Sequence, residues 1–142
     1  MSAATFAAVA VTLYAAHQLA DHVLGQTDRQ ANGKARPGWE GWRHNLAHVG
    51  LYHAVMAVML GVTVAVLNLN VTLSGAVAGL GFSAVTHAFI DRRWPVRRLL
   101  ELTGSAPFAR LAGNGLNGLY LADQACHWAC LWVSALLVVS VG

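Results

Sequence analysis

The chain has 142 residues, 56% hydrophobic and 11% charged, with a formal net charge of +3 and a mean hydropathy of +0.51. Soluble domains carry about 25% charged residues, so the composition excludes an ordinary solvated surface, and its apolar content excludes a disordered chain. It predicts a single all-α transmembrane domain over residues 1–142.

Four apolar segments follow one another, each near the roughly 20 residues that cross a bilayer. The first, residues 3–25, carries His17-x3-Asp21 and lacks the basic start of a signal peptide, so it reads as a mature helix. The loop over 26–43 is broken by Gly33, Pro37, Gly38 and Gly41, with Trp39 and Trp42 as interfacial anchors. The second span, 44–67, holds His44-x3-His48. The uncharged Asn68-Leu69-Asn70 turns it tightly into the third, 71–90, at whose end stands His87-x3-Asp91.

In the loop over 91–115, Trp94, Val96, Leu99 and Leu100 alternate with Arg92, Arg93, Arg97 and Arg98 at helical spacing. This is the pattern of a short interfacial helix whose arginines meet anionic lipid headgroups. Gly104, Pro107, Gly113, Gly115 and Gly118 interrupt it before the fourth span, 116–141, which contains Asp123-x3-His127. Cys126 and Cys130, four apart on that span, read as small buried residues and not as a disulfide framework.

All nine Lys and Arg lie between residues 29 and 43 or between 92 and 110. With four spans, the positive-inside rule places both loops in the cytoplasm and both termini outside, as two like-oriented hairpins in a bacterial inner membrane. The same distribution makes membrane lipids the expected partner and argues against nucleic acid, despite a pI near 9.3.

Ionisable groups inside a bilayer are costly, and their default reading is functional. Residues four apart share a helix face, so each His/Asp pair is a two-toothed chelate. Alternating span direction puts His17, His48, His87 and His127 in a deep layer. Asp21, Asp91 and Asp123 form a shallow layer with His44, open to the cytoplasm, whereas His22 and His53 fall off these faces. The expected metal ligands are His17, Asp21, His48, His87, Asp91, Asp123 and His127. Gly25 permits a left-handed helix end, which would fold Gln26-Thr27-Asp28 back over the mouth. Gln26, Asp28, His44 and Gln124 are then the candidates to orient ligands from behind.

On these residues the chain resembles an uncharacterised family of small polytopic bacterial and phage membrane proteins, a domain of unknown function (number thirty-three-oh-seven). The family pattern is matched by His17/Asp21, Gln26-Thr27-Asp28, His48, His87/Asp91 and Asp123-Gln124-x2-His127, over nearly the whole chain. In that family a basic residue usually follows the third-span aspartate more distantly, whereas here Arg92-Arg93 follow at once. The resemblance implies a four-helix membrane protein and brings no activity with it. A looser similarity, by His/Asp spacing alone, is to membrane-bound metal-dependent hydrolases.

Imidazole with carboxylate suits Zn, Mn or Fe. Seven ligands exceed one tetrahedral zinc and suit a pair of ions, which would activate water and clamp a phosphate or ester. The expected function is therefore a metal-dependent hydrolase of a phosphate- or ester-containing lipid, its catalytic residues not fixed by sequence. One alternative is a non-enzymatic ion- or proton-handling subunit, self-associating or docked on a partner subunit through Gly75-x3-Gly79. Another is a b-type haem protein, which would give the aspartates no role.

Overall fold

The computed structural model describes residues 2–24 and 27–141. Its four long helices are α1 (Ala3–His22), α3 (Gly38–Val66), α4 (Leu73–Ile90) and α7 (Gly118–Ser140), each long and apolar enough to cross a membrane. They pack in chain order around a bundle, α1 and α4 each lying against both α3 and α7. Between them lie the short helices α2 (Asp28–Gly33), α5 (Trp94–Leu102) and α6 (Ala106–Ala109). Strands β1 (Ala112–Gly113) and β2 (Leu116–Asn117) complete the connection to α7.

Local chemistry explains most boundaries. Ser2, Thr72 and Asn117 each accept a backbone N–H from the first turn of α1, α4 and α7, replacing an intrahelical partner that those amides lack. α2 starts at a capping box that sequence reading passed over: Thr27 Oγ1 accepts from Gln30 N, and Gln30 Oε1 from Thr27 N. β1 and β2 pair across Asn114 and Gly115, with φ of 50° and 80°, the signature of a type I′ hairpin. The fourth span, expected from residue 116, therefore starts at Gly118, after this hairpin.

α3 begins at Gly38, six residues before the expected start of the second span. Gly41 does not break it. Gly41 is buried where the Arg36 carbonyl and the Arg92 guanidinium leave no room for a Cβ. It is small for close approach, not for flexibility.

Along its axis the bundle divides in two. One half is an apolar core of Val9, Leu13, Met56, Leu60, Leu131 and Val138. There Gly75 and Gly79 let α4 settle onto the backbone of α7 at Ser134, Val138 and Val141. This corrects the expectation that Gly75-x3-Gly79 serves a partner: the seam is filled within the chain. Val11, Val58, Val62, Val77, Val85 and Trp132 face outward as an apolar belt. The other half, toward the basic loops, is polar inside.

Candidate metal centre

Each long helix contributes a histidine to one layer of that polar half: His17, His48, His87 and His127. Imidazole centroids lie 5.3 Å apart for His48 and His87, 4.5 Å for His87 and His127, and 5.3 Å for His127 and His17. The expected histidine layer is present. Asp21, Asp91 and Asp123 stand one helical turn nearer the basic end, on the same faces, because of the four-residue spacing.

Asp91 is the hub. Its carboxylate lies 2.9 Å from Lys34 Nζ, 3.2 Å from His87 Nε2, 3.5 Å from His48 Nε2 and 3.9 Å from His127 Nε2. Burial would raise the Asp91 carboxyl, but the His87 imidazole and then the Lys34 ammonium hold it below the usual carboxylate range. Asp21 lies 3.0 Å from His48 Nε2 and 3.7 Å from Lys34 Nζ.

Two ligand groups share this hub. Asp21, His48, His87 and Asp91, all buried, offer atoms within 4.8 Å of one another, and so do Asp91, Asp123 and His127. Ligand atoms around a tetrahedral ion bound at roughly 2.1 Å stand about 3.4 Å apart. Each group could therefore hold a cation after side-chain shifts. Asp91 is the carboxylate common to both groups.

The hydrogen-bond pattern prepares these atoms for a ligand. His127 Nδ1 donates to the Asp123 carbonyl at 2.9 Å, which leaves Nε2 as the lone-pair nitrogen. Among the described residues, His127 Nε2, both ring nitrogens of His87 and Asp91 Oδ2 are buried and make no aligned hydrogen bond. Their side chains are each 2% exposed. Apart from His87 Nδ1, these atoms are held by the ion-pair contacts around Asp91, and a buried cation would satisfy them more fully.

His17 stands differently from the other histidines. Its Nε2 donates to Gln124 Oε1 at 3.0 Å and its Nδ1 accepts from the Tyr52 hydroxyl at 2.9 Å. As it stands, both nitrogens are used, although His17 also groups with Asp21 and exposed His22. Gln124 further donates to Asp21 at 3.3 Å and Asp123 at 3.4 Å. It thus ties α1 to α7 and holds two carboxylates.

His44 does not join the aspartates. It lies 4.0 Å from Glu40 and packs on Gly33, at the outer side of α3. Its expected place beside the carboxylates is taken by Lys34, which sequence reading did not select; the available signal was that Lys34 is the sole lysine. Arg92, expected at lipid headgroups, turns inward. It donates to the Lys34 and Arg36 carbonyls and stacks 4.8 Å from the Trp42 ring centroid. Arg97 and Arg98 are exposed on α5, alongside outward Trp94, Leu99 and Leu102, while Val96 faces the bundle. Arg93 is exposed and donates to the Ala31 carbonyl at 3.2 Å. Gln26 and the side chain of Asp28 lie outside the described residues.

A cavity of about 290 Å³ adjoins the centre at the basic end. Asp21, Asp91 and Asp123 line it together with Lys34, Arg93 and Tyr120. No family model, curated protein or solved structure matches the chain.

Proposed function

We propose that the chain is an integral protein of the bacterial inner membrane, its basic end in the cytoplasm, and a metal-dependent hydrolase of a phosphate- or ester-containing lipid. The carrying observation is the gathering of buried His87, His127 and Asp91 atoms, none in an aligned hydrogen bond, beside a cavity, with both imidazoles within ion-pair distance of the Asp91 carboxylate. Charge supports a cation there: the three carboxylates of Asp21, Asp91 and Asp123 gather at the cluster, and carboxylate oxygens with imidazole nitrogens suit a divalent ion. Asp91 lies within 3.9 Å of three of the four imidazoles, leaving no slot for a porphyrin among them.

Bound divalent ions would supply water of lowered pKa and stabilise the oxyanion formed on attack. Asp123 is the carboxylate best placed to move the proton. It is half-buried, lines the cavity and is steadied by Gln124. It would take the proton of the attacking water and return it to the leaving alkoxide as the P–O or C–O bond breaks. Lys34 and Arg93 would hold the anionic part of the substrate.

The purified chain in nanodiscs, stripped with chelator and reloaded with Mn or Zn, should release phosphate or fatty acid from lipid only in the reloaded state. Asp123→Asn should slow release by about 100-fold or more. Stoichiometrically bound metal with no turnover on either lipid class would overturn the hydrolase reading.

A further inference from the structure

Lys34 is 7% exposed, and a buried lysine needs a specific reason. Its ammonium lies 2.9 Å from Asp91 Oδ1 and 3.7 Å from Asp21 Oδ1. Those carboxylates both belong to the buried four-residue ligand group. An ammonium and a metal ion would therefore compete for the same lone pairs.

The backbone around Lys34 is anchored. Arg92 grips the carbonyls of Lys34 and Arg36, Arg93 grips that of Ala31, and Gly33 is pressed against His44. What is left to move is the four-carbon stem, and that stem lines the cavity. Arg93 lines the same cavity with φ of +62°, a left-handed conformation unfavourable to a non-glycine residue and held here by its surroundings. Most of its guanidinium donors are uncommitted among the described residues.

We propose that Lys34 is an exchangeable counter-ion: it holds the cation's place between Asp21 and Asp91 in the metal-free protein, and metal entry releases its ammonium into the cavity, where with Arg93 it binds a phosphate group. This rests on the metal-centre reading and sharpens its substrate class from phosphate or ester to phosphate. Two cations beside a metal-loaded floor match a multiply charged phosphate; a neutral carboxylic ester would leave both unanswered. Metal and phosphate are then linked ligands, each tightening the other by the same factor.

Because Lys34 is the sole lysine, amine-reactive labelling located by mass spectrometry reads its release in the unaltered full-length chain. In phosphatidylcholine nanodiscs, Mn²⁺ should speed labelling of Lys34, and inorganic phosphate added with Mn²⁺ should slow it again. Lys34→Met should bind Mn²⁺ roughly tenfold more tightly, within the 5–150-fold span of ordinary couplings, yet lose the tightening by phosphate. Arg93→Gln should lose most of that tightening while still binding Mn²⁺.

Discs containing phosphatidic acid supply the same group from lipid, and the source with the larger coupling is the physiological one. Unchanged or slowed labelling with bound Mn²⁺, weaker Mn²⁺ binding by Lys34→Met, or no coupling to either phosphate source would overturn the proposal while leaving the metal centre standing. Failure of the unaltered chain to bind Mn²⁺, Zn²⁺ or Fe²⁺ would instead remove the metal centre itself.

Discussion

Asp91→Ala should lower the stability of the metal-free protein by about 3–5 kcal/mol, the usual cost of removing one partner from a buried ion pair. Asp91 is the closest anion to Lys34 at 2.9 Å, and it also faces the His48, His87 and His127 imidazoles. Without it, the ammonium keeps Asp21 at 3.7 Å, and three imidazoles lose the carboxylate they share. Because Asp91 also joins the two ligand groups, the variant should retain no stoichiometric metal. Reversible unfolding in mixed detergent, with metal analysis of the same preparation, measures both effects. A loss below about 1 kcal/mol, the scale of an exposed pair, would show that the Asp91 cluster is not the keystone described here.

The second large effect belongs to the other end of the bundle. Gly79→Leu should force α4 away from α7, since even a Cβ at Gly79 meets the Val138 side chain and the Ser134 carbonyl. Overpacking of a filled site costs about 1–3 kcal/mol when side chains can yield; here one obstacle is backbone, so the upper end is expected. Gly81→Leu is the matched control, because among the described residues nothing stands within 4 Å of a Cβ there. It should be nearly neutral. Gly79 lies two helical turns from His87 on α4, so the shift should also weaken metal binding. Equal stability of the two variants would contradict the assigned α4–α7 seam.

Much of this arrangement was legible because helical periodicity and hydropathy are local signals. The four apolar helices, the amphipathic α5 and the layering of His17, His48, His87 and His127 over three aspartates all follow from spacing along one chain. What escaped depends on contacts between segments. Gly41 reads as a helix breaker until Arg36 and Arg92 are seen pressing on it. Spacing puts His44 beside the aspartates, and only the position of α2 decides that Lys34 stands there instead, while His48, one turn deeper, meets Asp21. Arg92 belongs to an arginine-rich stretch that suits headgroups, yet its guanidinium is used to fasten the Lys34 loop.

Gln124 shows how a one-face rule is too narrow. It projects about 100° from Asp123 around the helix. His127, three residues after one and four after the other, spans both faces, so Gln124 reaches His17 and Asp21 on α1. Two missed features did carry local signals. The Thr27-x2-Gln30 capping box and the Asn114-Gly115 turn are both readable from short patterns.

The central claim is that the buried His/Asp cluster is a metal centre. Elemental analysis of the chain, purified in detergent without added metal and without a histidine tag, tests it most directly. The account predicts at least one Zn, Mn or Fe per chain, lost in His87→Ala, whose ring nitrogens are otherwise without hydrogen-bond partners among the described residues. Clearly substoichiometric metal, at a level unchanged in His87→Ala, would contradict it.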